Sequence, residues 1–294
     1  MISRRKFSIK LRSQTLVLGK RTLIMGVLNV TPDSFSDGGK FLSTERAIEH
    51  ALKMEQDGAD LLDIGGESTR PGSRGTPAGE ELARVLPVLE RLHGRVKIPF
   101  SVDTQKPEVA EAVIAAGAEI INDVSGLKSD PRLREVAARH GVPLILMHMR
   151  GKPRDMQKGP FARNVLRDVT QGLRRSIAIA RKAGVKKSQI ILDPGIGFGK
   201  NFDQNYELLQ KLPELAKLGF PLLVGTSRKG FLGATLARNG NPAPPEERIW
   251  GTAATVTASI LAGAHIVRVH DVAEMVQVAR VADCLLYRQN RPRD

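Results

Sequence analysis

Eight short apolar segments recur along the chain, and each ends at a polar residue that is followed by a loop and a helical pattern. The first segment covers residues 23–28 and stops at Asn29, where a loop rich in Thr, Pro, Asp, Ser and Gly begins. Short apolar segments with many β-branched side chains are typical of buried strands, and consecutive parallel strands need a crossover such as a helix. The alternation therefore predicts a parallel sheet of eight strands joined by helices.

No linker or low-complexity segment interrupts this order. Eight βα units close most naturally into a (β/α)8 TIM barrel of the α/β class, and an open doubly wound sheet is the alternative. We predict strands at 23–28, 60–64, 98–102, 119–121, 143–147, 189–192, 221–224 and 265–269. We predict helices at 44–56, 80–92, 107–117, 131–139, 162–183, 203–218, 228–238, 246–262 and 271–287, with Pro213 kinking or splitting one of them.

The segment before the first of these strands has a pattern of its own. Residues 15–21 alternate apolar and polar side chains, which predicts a short hairpin that caps the fold. A transit peptide is the alternative interpretation of the basic, acid-free N-terminus. We accordingly divide the chain into an N-terminal hairpin or extension at residues 1–21 and a single barrel domain at 22–294.

The composition limits the class of partner. Apolar residues make up 41% and charged residues 26%, which is ordinary for a globular protein, and no apolar run is long enough to cross a bilayer. The one cysteine, Cys284, excludes an internal disulfide, fits a reducing cytoplasm and is predicted to be a small packing residue. A net charge of +14 is compatible with nucleic acid, an anionic substrate or a solvated basic surface, but 4% aromatic residues argue against a base-stacking platform.

The polar residues at the strand ends indicate a single site, because the C-terminal strand ends of a barrel converge on one face. Buried carboxylates are costly unless they are paired, so several of them together predict a ligand rich in N–H donors. The segment 195–200 is not a phosphate-binding loop, since its spacing differs and Asn201 follows Lys200 where a Ser or Thr is required. The strand-end residues are Asn29, Asp63, Asp103, Asn122, Asp123, His148, Asp193, Ser227, Lys229, Arg268 and His270.

Eight segments around these strand ends, in the same order, resemble the dihydropteroate synthase family. They are 26–39, 63–72, 101–107, 121–126, 146–156, 193–200, 225–233 and 268–272, and the resemblance extends over residues 22–287. It implies a pterin-binding TIM barrel that condenses 4-aminobenzoate with (7,8-dihydropterin-6-yl)methyl diphosphate, releasing diphosphate and forming 7,8-dihydropteroate. It also implies Mg²⁺ as cofactor, a cytoplasmic homodimer, and small-molecule partners rather than nucleic acid or membrane.

The resemblance further implies a role for each matching residue. The pterin would contact Asp103, Asn122, Met147, Asp193, Phe198 and Lys229. The diphosphate would contact Asn29, Thr69, Arg70, Arg268 and His270, with Asn29 also a ligand of magnesium. The 4-aminobenzoate side would be formed by Phe35, Thr69, Pro71, Ser227 and Lys229. The catalytic groups would be Asp33, Lys229 and Arg268, with residues 31–36 acting as a lid.

Two alternatives stay open at this point. Another pterin-binding barrel, such as a methyltetrahydrofolate-dependent methyltransferase, would share the Asp and Asn edge but would lack the anion site of Thr69, Arg70, Arg268 and His270. A basic nucleic-acid-binding protein would instead bind DNA tightly at low salt, with a steep dependence on salt concentration.

Overall fold

The computed structural model describes residues 4–31, 39–70 and 72–287, and it contains an eight-stranded parallel barrel preceded by a short antiparallel hairpin. The strands are β1 (Phe7–Lys10), β2 (Thr15–Leu18), β3 (Leu23–Asn29), β4 (Leu61–Gly65), β5 (Phe100–Asp103), β6 (Ile120–Asp123), β7 (Leu144–Met147), β8 (Ile190–Asp193), β9 (Leu223–Val224) and β10 (Ile266–Val269). The barrel strands are hydrogen-bonded in the order β8-β7-β6-β5-β4-β3-β10-β9, and a single parallel bridge between Leu192 and Leu222 closes the ring.

Helices surround the barrel, and at least one lies between each pair of consecutive barrel strands. This alternation is the one that the sequence predicts, so the expected (β/α)8 class is confirmed. The helices are α1 (Gly39–Gln56), α2 (Ala78–Leu92), α3 (Pro107–Ala115), α4 (Arg132–His140), α5 (Val165–Lys182), α6 (Phe202–Gln210), α7 (Leu212–Ala216), α8 (Gly230–Thr235), α9 (Ile249–Leu261) and α10 (Val272–Tyr287), with 3-10 turns at Lys187–Gln189 and Pro245–Arg248.

The hairpin of β1 and β2 closes the N-terminal end of the barrel, as its alternating pattern predicts. Ile9, Leu16 and Leu18 are buried and belong to the same apolar cluster as the first inward-facing residues of the barrel strands. Because this cluster fills the lower barrel, the interior there is a packed core rather than a channel. Inside the barrel, groups able to bind a ligand are therefore at the opposite end.

Several element boundaries differ from the prediction. Helix α1 begins at Gly39, five residues before the expected start, and Pro213 separates α6 from α7 as expected. Strand β9 contains only two residues, because Pro221 has no N–H to donate to a neighbouring strand. No helix in the described ranges is long and apolar enough to span a membrane.

Candidate functional site

The upper mouth of the barrel brings together four polar side chains that the sequence places on four different strands. Asp103 ends β5, Asn122 lies near the end of β6, Asp193 ends β8, and Arg268 lies within β10. All but Arg268, which is half-buried, are buried. Asp123 is different, because it accepts hydrogen bonds from the backbone N–H groups of Ser125 (2.8 Å) and Leu127 (2.6 Å) and so holds a turn.

Asp63 of β4 is the centre of this network, and it is absent from the site residues that the family resemblance assigned. Its Oδ2 accepts from Arg268 Nε at 2.6 Å and from Asn122 Nδ2 at 3.0 Å. Arg268 also approaches Asp103, with 3.5 Å between its guanidinium nitrogen and Asp103 Oδ2. The sequence places Asp63 among the strand-end residues, but it carries no signal for the bonds to Arg268 and Asn122.

The network fixes which atom of Asn122 is free to meet a ligand. Since the amide nitrogen donates to Asp63, the amide oxygen is the part left over, and it is buried without a partner among the described residues. An unpaired buried acceptor costs free energy unless a donor reaches it. Asn122 therefore presents an acceptor, which is suited to a ligand with N–H groups.

Asp193 supplies a second acceptor on the other side of the mouth. Its Oδ1 accepts from the backbone N–H of Gly195 at 2.7 Å, which orients the carboxyl group. Burial raises the pKa of Asp193, while the Gly195 N–H and the charges of Lys229 and Lys200 oppose that rise. Burial together with the charge of Asp63 also raises the pKa of Asp103 well above its usual value. A ligand that donates hydrogen bonds to these two carboxyl groups would therefore stabilise their charged forms.

Apolar side chains form the wall beside Asp193. Met147 ends β7 and packs with Val124, Met149 and Met156, and Phe198 lies against this group. A flat heterocycle bound at Asp193 would find an apolar surface there, because aromatic and thioether side chains pack well against rings.

Lys229 faces the same wall from the start of α8, which it immediately precedes. Its Nζ lies 4.0 Å from the centre of the Phe198 ring, a cation–π contact. Burial and the positive charge of Arg268 lower the pKa of Lys229 to about 8, although Asp193 and Asp103 pull it upward. The position of the lysine depends on Gly197, since a β-carbon there would lie 3.0 Å from Lys229 Cδ.

Ser227 and His270 meet next to Lys229. Ser227 Oγ accepts from the backbone N–H of His270 at 3.1 Å and lies 3.0 Å from its ring Nδ1. Burial and the charge of Arg268 lower the pKa of His270 to about 3, so the ring is neutral at pH 7. His270 can therefore offer an anion a hydrogen bond but no charge, and Arg268 and Lys229 carry the positive charge of this side.

The second long loop leaves β4 at the rim. Thr69 is half-buried and Arg70 is exposed, and the base of the loop is tied down where Lys106 forms ion pairs with both Glu67 and the fully buried Glu81. Asn29 is half-buried at the end of β3. The structure thus places these residues at the mouth but records no contact of Thr69 or Arg70 with the Asp63 network.

Three of the predicted site residues, Asp33, Phe35 and Pro71, lie outside the described residues. Within the described ranges there is no group of three or more His, Cys, Asp or Glu side chains that could hold a metal ion. A metal at this mouth would therefore need oxygen atoms from a substrate as well as from the protein, which is how Mg²⁺ is commonly bound.

The chain is similar to known proteins over most of its length. A family model described as "Pterin binding enzyme" matches residues 25–270. The dihydropteroate synthase of Synechocystis sp. is 50% identical over 267 residues, which is 91% of each chain. A structure of Xanthomonas albilineans dihydropteroate synthase with 4-aminobenzoic acid is 43% identical, with a TM-score of 0.89 over 98% of this chain and 100% of that one. Another, in complex with 7,8-dihydropteroate, is 40% identical with a TM-score of 0.84 over 97% and 100% of the two chains.

Proposed function

Because the chain belongs to the pterin-binding enzymes and, among them, to the dihydropteroate synthase family, we propose a role for each group at its barrel mouth. The chain is a transferase that condenses 4-aminobenzoate with (7,8-dihydropterin-6-yl)methyl diphosphate, forming 7,8-dihydropteroate and diphosphate. The observation that carries the proposal is the Asp63-centred network, since it orients one acceptor, Asn122, and one cation, Arg268, toward the same opening.

The pterin ring is held by its N–H edge. The carboxylate of Asp193 accepts from a ring N–H and the exocyclic amino group together, and Asn122 Oδ1 and Asp103 accept the remaining donors. Charge-assisted bidentate contacts of this kind are among the strong hydrogen bonds. Met147 and Phe198 form the apolar wall against the ring, and Lys229 donates to its carbonyl side.

The leaving group is held from the opposite side. Arg268 gives two N–H groups to Asp63 and Asp103 and directs the others to the diphosphate, because a guanidinium has five donors. The neutral ring of His270 donates a further hydrogen bond, and Thr69 and Arg70 complete the site from the second loop. These positive charges stabilise the negative charge that develops on the diphosphate, which lowers the barrier to its departure.

The arylamine then reacts at the methylene carbon as the carbon–oxygen bond to diphosphate breaks. Ser227, Thr69, Pro71 and Phe35 would position 4-aminobenzoate, and Asp33 would stabilise positive charge at the methylene carbon. Excluding water protects such a carbon from attack by water.

Residues 31–36 are proposed to act as a lid over the site. Deleting them should leave binding of the pterin diphosphate largely intact and abolish turnover, and unchanged turnover would disprove the lid role.

Magnesium fits this site through a single protein oxygen. A β-carbon on Gly65 would lie 3.8 Å from Asn29 Oδ1 and 3.7 Å from Asp103 Cβ. Asn29 and Asp103 are therefore both close to Gly65 at the mouth. When bound, the ion would neutralise charge on the departing diphosphate. Asn29→Ala should therefore raise the Mg²⁺ concentration required for half-maximal rate, and the cation dependence of diphosphate binding by calorimetry gives a readout independent of turnover.

The homodimer is proposed from an exposed apolar stripe on α9 and α10. Trp250 is 79% exposed and Val281 64%, with Leu285 and Leu261 also exposed along these helices. Cys284 lies in the same stripe and is exposed, so the prediction that it packs internally was wrong. Leu285→Glu should shift the sedimentation mass toward the monomer, whereas Val17→Glu, a change of an exposed apolar residue in the hairpin, should not.

The decisive experiment measures release of diphosphate from the pterin diphosphate. Release should be accompanied by equal amounts of dihydropteroate when 4-aminobenzoate and Mg²⁺ are present, and Asp193→Asn should be impaired at low pterin concentration. Absence of release by the wild-type chain would overturn the proposal. The chain is proposed to work on small molecules alone, in the cytoplasm, and a DNA shift assay at low salt tests whether nucleic acid is a partner.

A further inference from the structure

Lys200 is the most deeply buried lysine among the described residues, and the proposed reaction does not use it. It is 2% exposed and lies in the loop between β8 and α6, beneath the pterin-side wall. Residues 195–200 resemble a phosphate-binding loop only superficially, and the side chain of Lys200 is buried within the protein. An ammonium group in such a place is costly unless it is well hydrogen-bonded.

Three acceptors surround this ammonium group, and none of them is a carboxylate. Lys200 Nζ donates to the carbonyl oxygen of His148 at 2.9 Å and to that of Phe198 at 3.0 Å, and it lies 3.0 Å from His148 Nδ1. Burial and the charge of Lys200 lower the pKa of His148 to about 2, so Nδ1 is free to accept. The opposite ring nitrogen lies 3.5 Å from Asp168.

The loop that Lys200 holds has one side chain in the main apolar core, Ile196, and elsewhere its backbone lies directly against neighbouring backbone. Gly195 is pressed against the end of β7, and a β-carbon there would lie 1.9 Å from the carbonyl oxygen of His148. No side chain fits between the two backbones at Gly195, so hydrogen bonds contribute to holding this part of the loop. Other bonds fix the middle of the loop, where Asn205 Oδ1 accepts from Gly197 N–H at 2.6 Å and Gln157 donates to the Gly197 carbonyl at 2.7 Å.

The loop carries two parts of the pterin site. The N–H of Gly195 orients the carboxyl group of Asp193, and Phe198 forms the wall against which Lys229 stacks. Lys200 joins the Phe198 carbonyl to the end of β7, where Met147 completes the same wall. A change at Lys200 would therefore displace the wall and the orienting N–H together.

We propose that Lys200 is a positioning residue for the pterin, which it serves by fastening the loop 195–200 to the end of β7. It touches neither substrate nor the reacting atoms. The inference rests on the proposed assignment of the pterin to Asp193 and Phe198, and it extends that assignment to a buried residue to which the family resemblance gives no role. The inference predicts no effect of Lys200 on binding of the arylamine.

The test compares Lys200→Met with Arg4→Met. Arg4 is a buried cation at the opposite end of the barrel, where it donates to Thr22 Oγ1 at 3.1 Å, so both variants lose a buried charge and both should unfold at lower temperature. Binding of 6-hydroxymethylpterin is measured by calorimetry, and the Michaelis constant for the arylamine is measured at saturating pterin diphosphate. Hydrogen exchange of residues 195–200 reports on the loop.

We expect Lys200→Met to weaken pterin binding at least tenfold, with faster exchange across 195–200 and a Michaelis constant for the arylamine within threefold of wild type. Arg4→Met should bind pterin within twofold of wild type. Equal pterin affinity in Lys200→Met and wild type would overturn the inference. If Lys200→Met does not fold, Lys200→Gln, which keeps two N–H donors, is read in the same way with a threefold threshold. Failure of the wild-type chain to bind pterin would count against the proposed function instead.

Discussion

Two layers of inward-facing side chains, two residues apart on the same strands, have opposite chemistry. The lower layer is apolar and buried under the hairpin, whereas the upper layer is mainly polar and faces the mouth. Two residues of strand span about 7 Å, so a short distance separates the apolar groups that stabilise the barrel from the polar groups that we propose bind the substrates. The pairs, lower residue first, are Leu61 and Asp63, Ile120 and Asn122, Ile145 and Met147, Ile191 and Asp193, and Ile266 and Arg268.

Among the variants that test this difference between the layers, Arg268→Met should have the largest effect. Arg268 faces Asp63 and Asp103, and removing one partner of a buried ion pair typically costs about 3–5 kcal/mol because the other charge stays buried. We expect a loss of that order in the free energy of unfolding, measured by denaturant titration, together with loss of turnover. Ile266→Val, two residues below, is the matched control and should cost about 1 kcal/mol with normal turnover. A stable Arg268→Met protein would show that the upper layer contributes nothing to the fold.

The lower layer is tested by Ile191→Ala. Ile191 is fully buried among the side chains that the hairpin covers, so the change should cost about 2–5 kcal/mol of unfolding free energy. At a temperature where the variant is folded, kcat/KM for both substrates should stay within threefold of wild type. A large change in kcat/KM without loss of stability would contradict the separation of the two layers.

Asp193→Asn tests the upper layer on the same strand. The amide keeps an oxygen for the Gly195 N–H but loses the charge and one acceptor for the pterin. Pterin affinity should fall tenfold or more, about 1.4 kcal/mol, as measured by calorimetry, with little change in the denaturation midpoint. An affinity within twofold of wild type would remove Asp193 from the pterin site.

The smallest expected effect is a change with pH. Burial lowers the pKa of Lys229 to about 8 and that of Lys200 to about 7. Between those values and the ordinary pKa near 10.5, the unfolded chain binds more protons than the folded chain, so their contribution to unfolding free energy rises with pH. Turnover should instead fall above about pH 8 as Lys229 loses its charge. In Lys229→Arg the alkaline fall should move to higher pH, and an unchanged profile would exclude Lys229 as its cause.

Much of this architecture could be predicted because the alternation of apolar segments and helices is strong and repeated. The strand ends also indicated Asp103, Asn122 and Asp193, since convergence at one face follows from the barrel itself. The role of Asp63 could not be predicted, because its bonds to Arg268 and Asn122 join β4 to strands distant in sequence. The burial of Lys200 could not be predicted for a related reason, since a local motif does not indicate whether a side chain points to solvent or into the protein.

The short strand β9 has a consequence for how the barrel responds to its ligand. Between β8 and β9 the wall relies on the bridge of Leu192 and Leu222 and on the bond from Leu192 N–H to the Pro221 carbonyl at 2.9 Å. Asp193 lies on one side of this seam and Lys229 on the other. A pterin that binds both residues would link the two sides of the weakest contact in the barrel wall. Pterin binding and closure of the barrel should therefore stabilise each other.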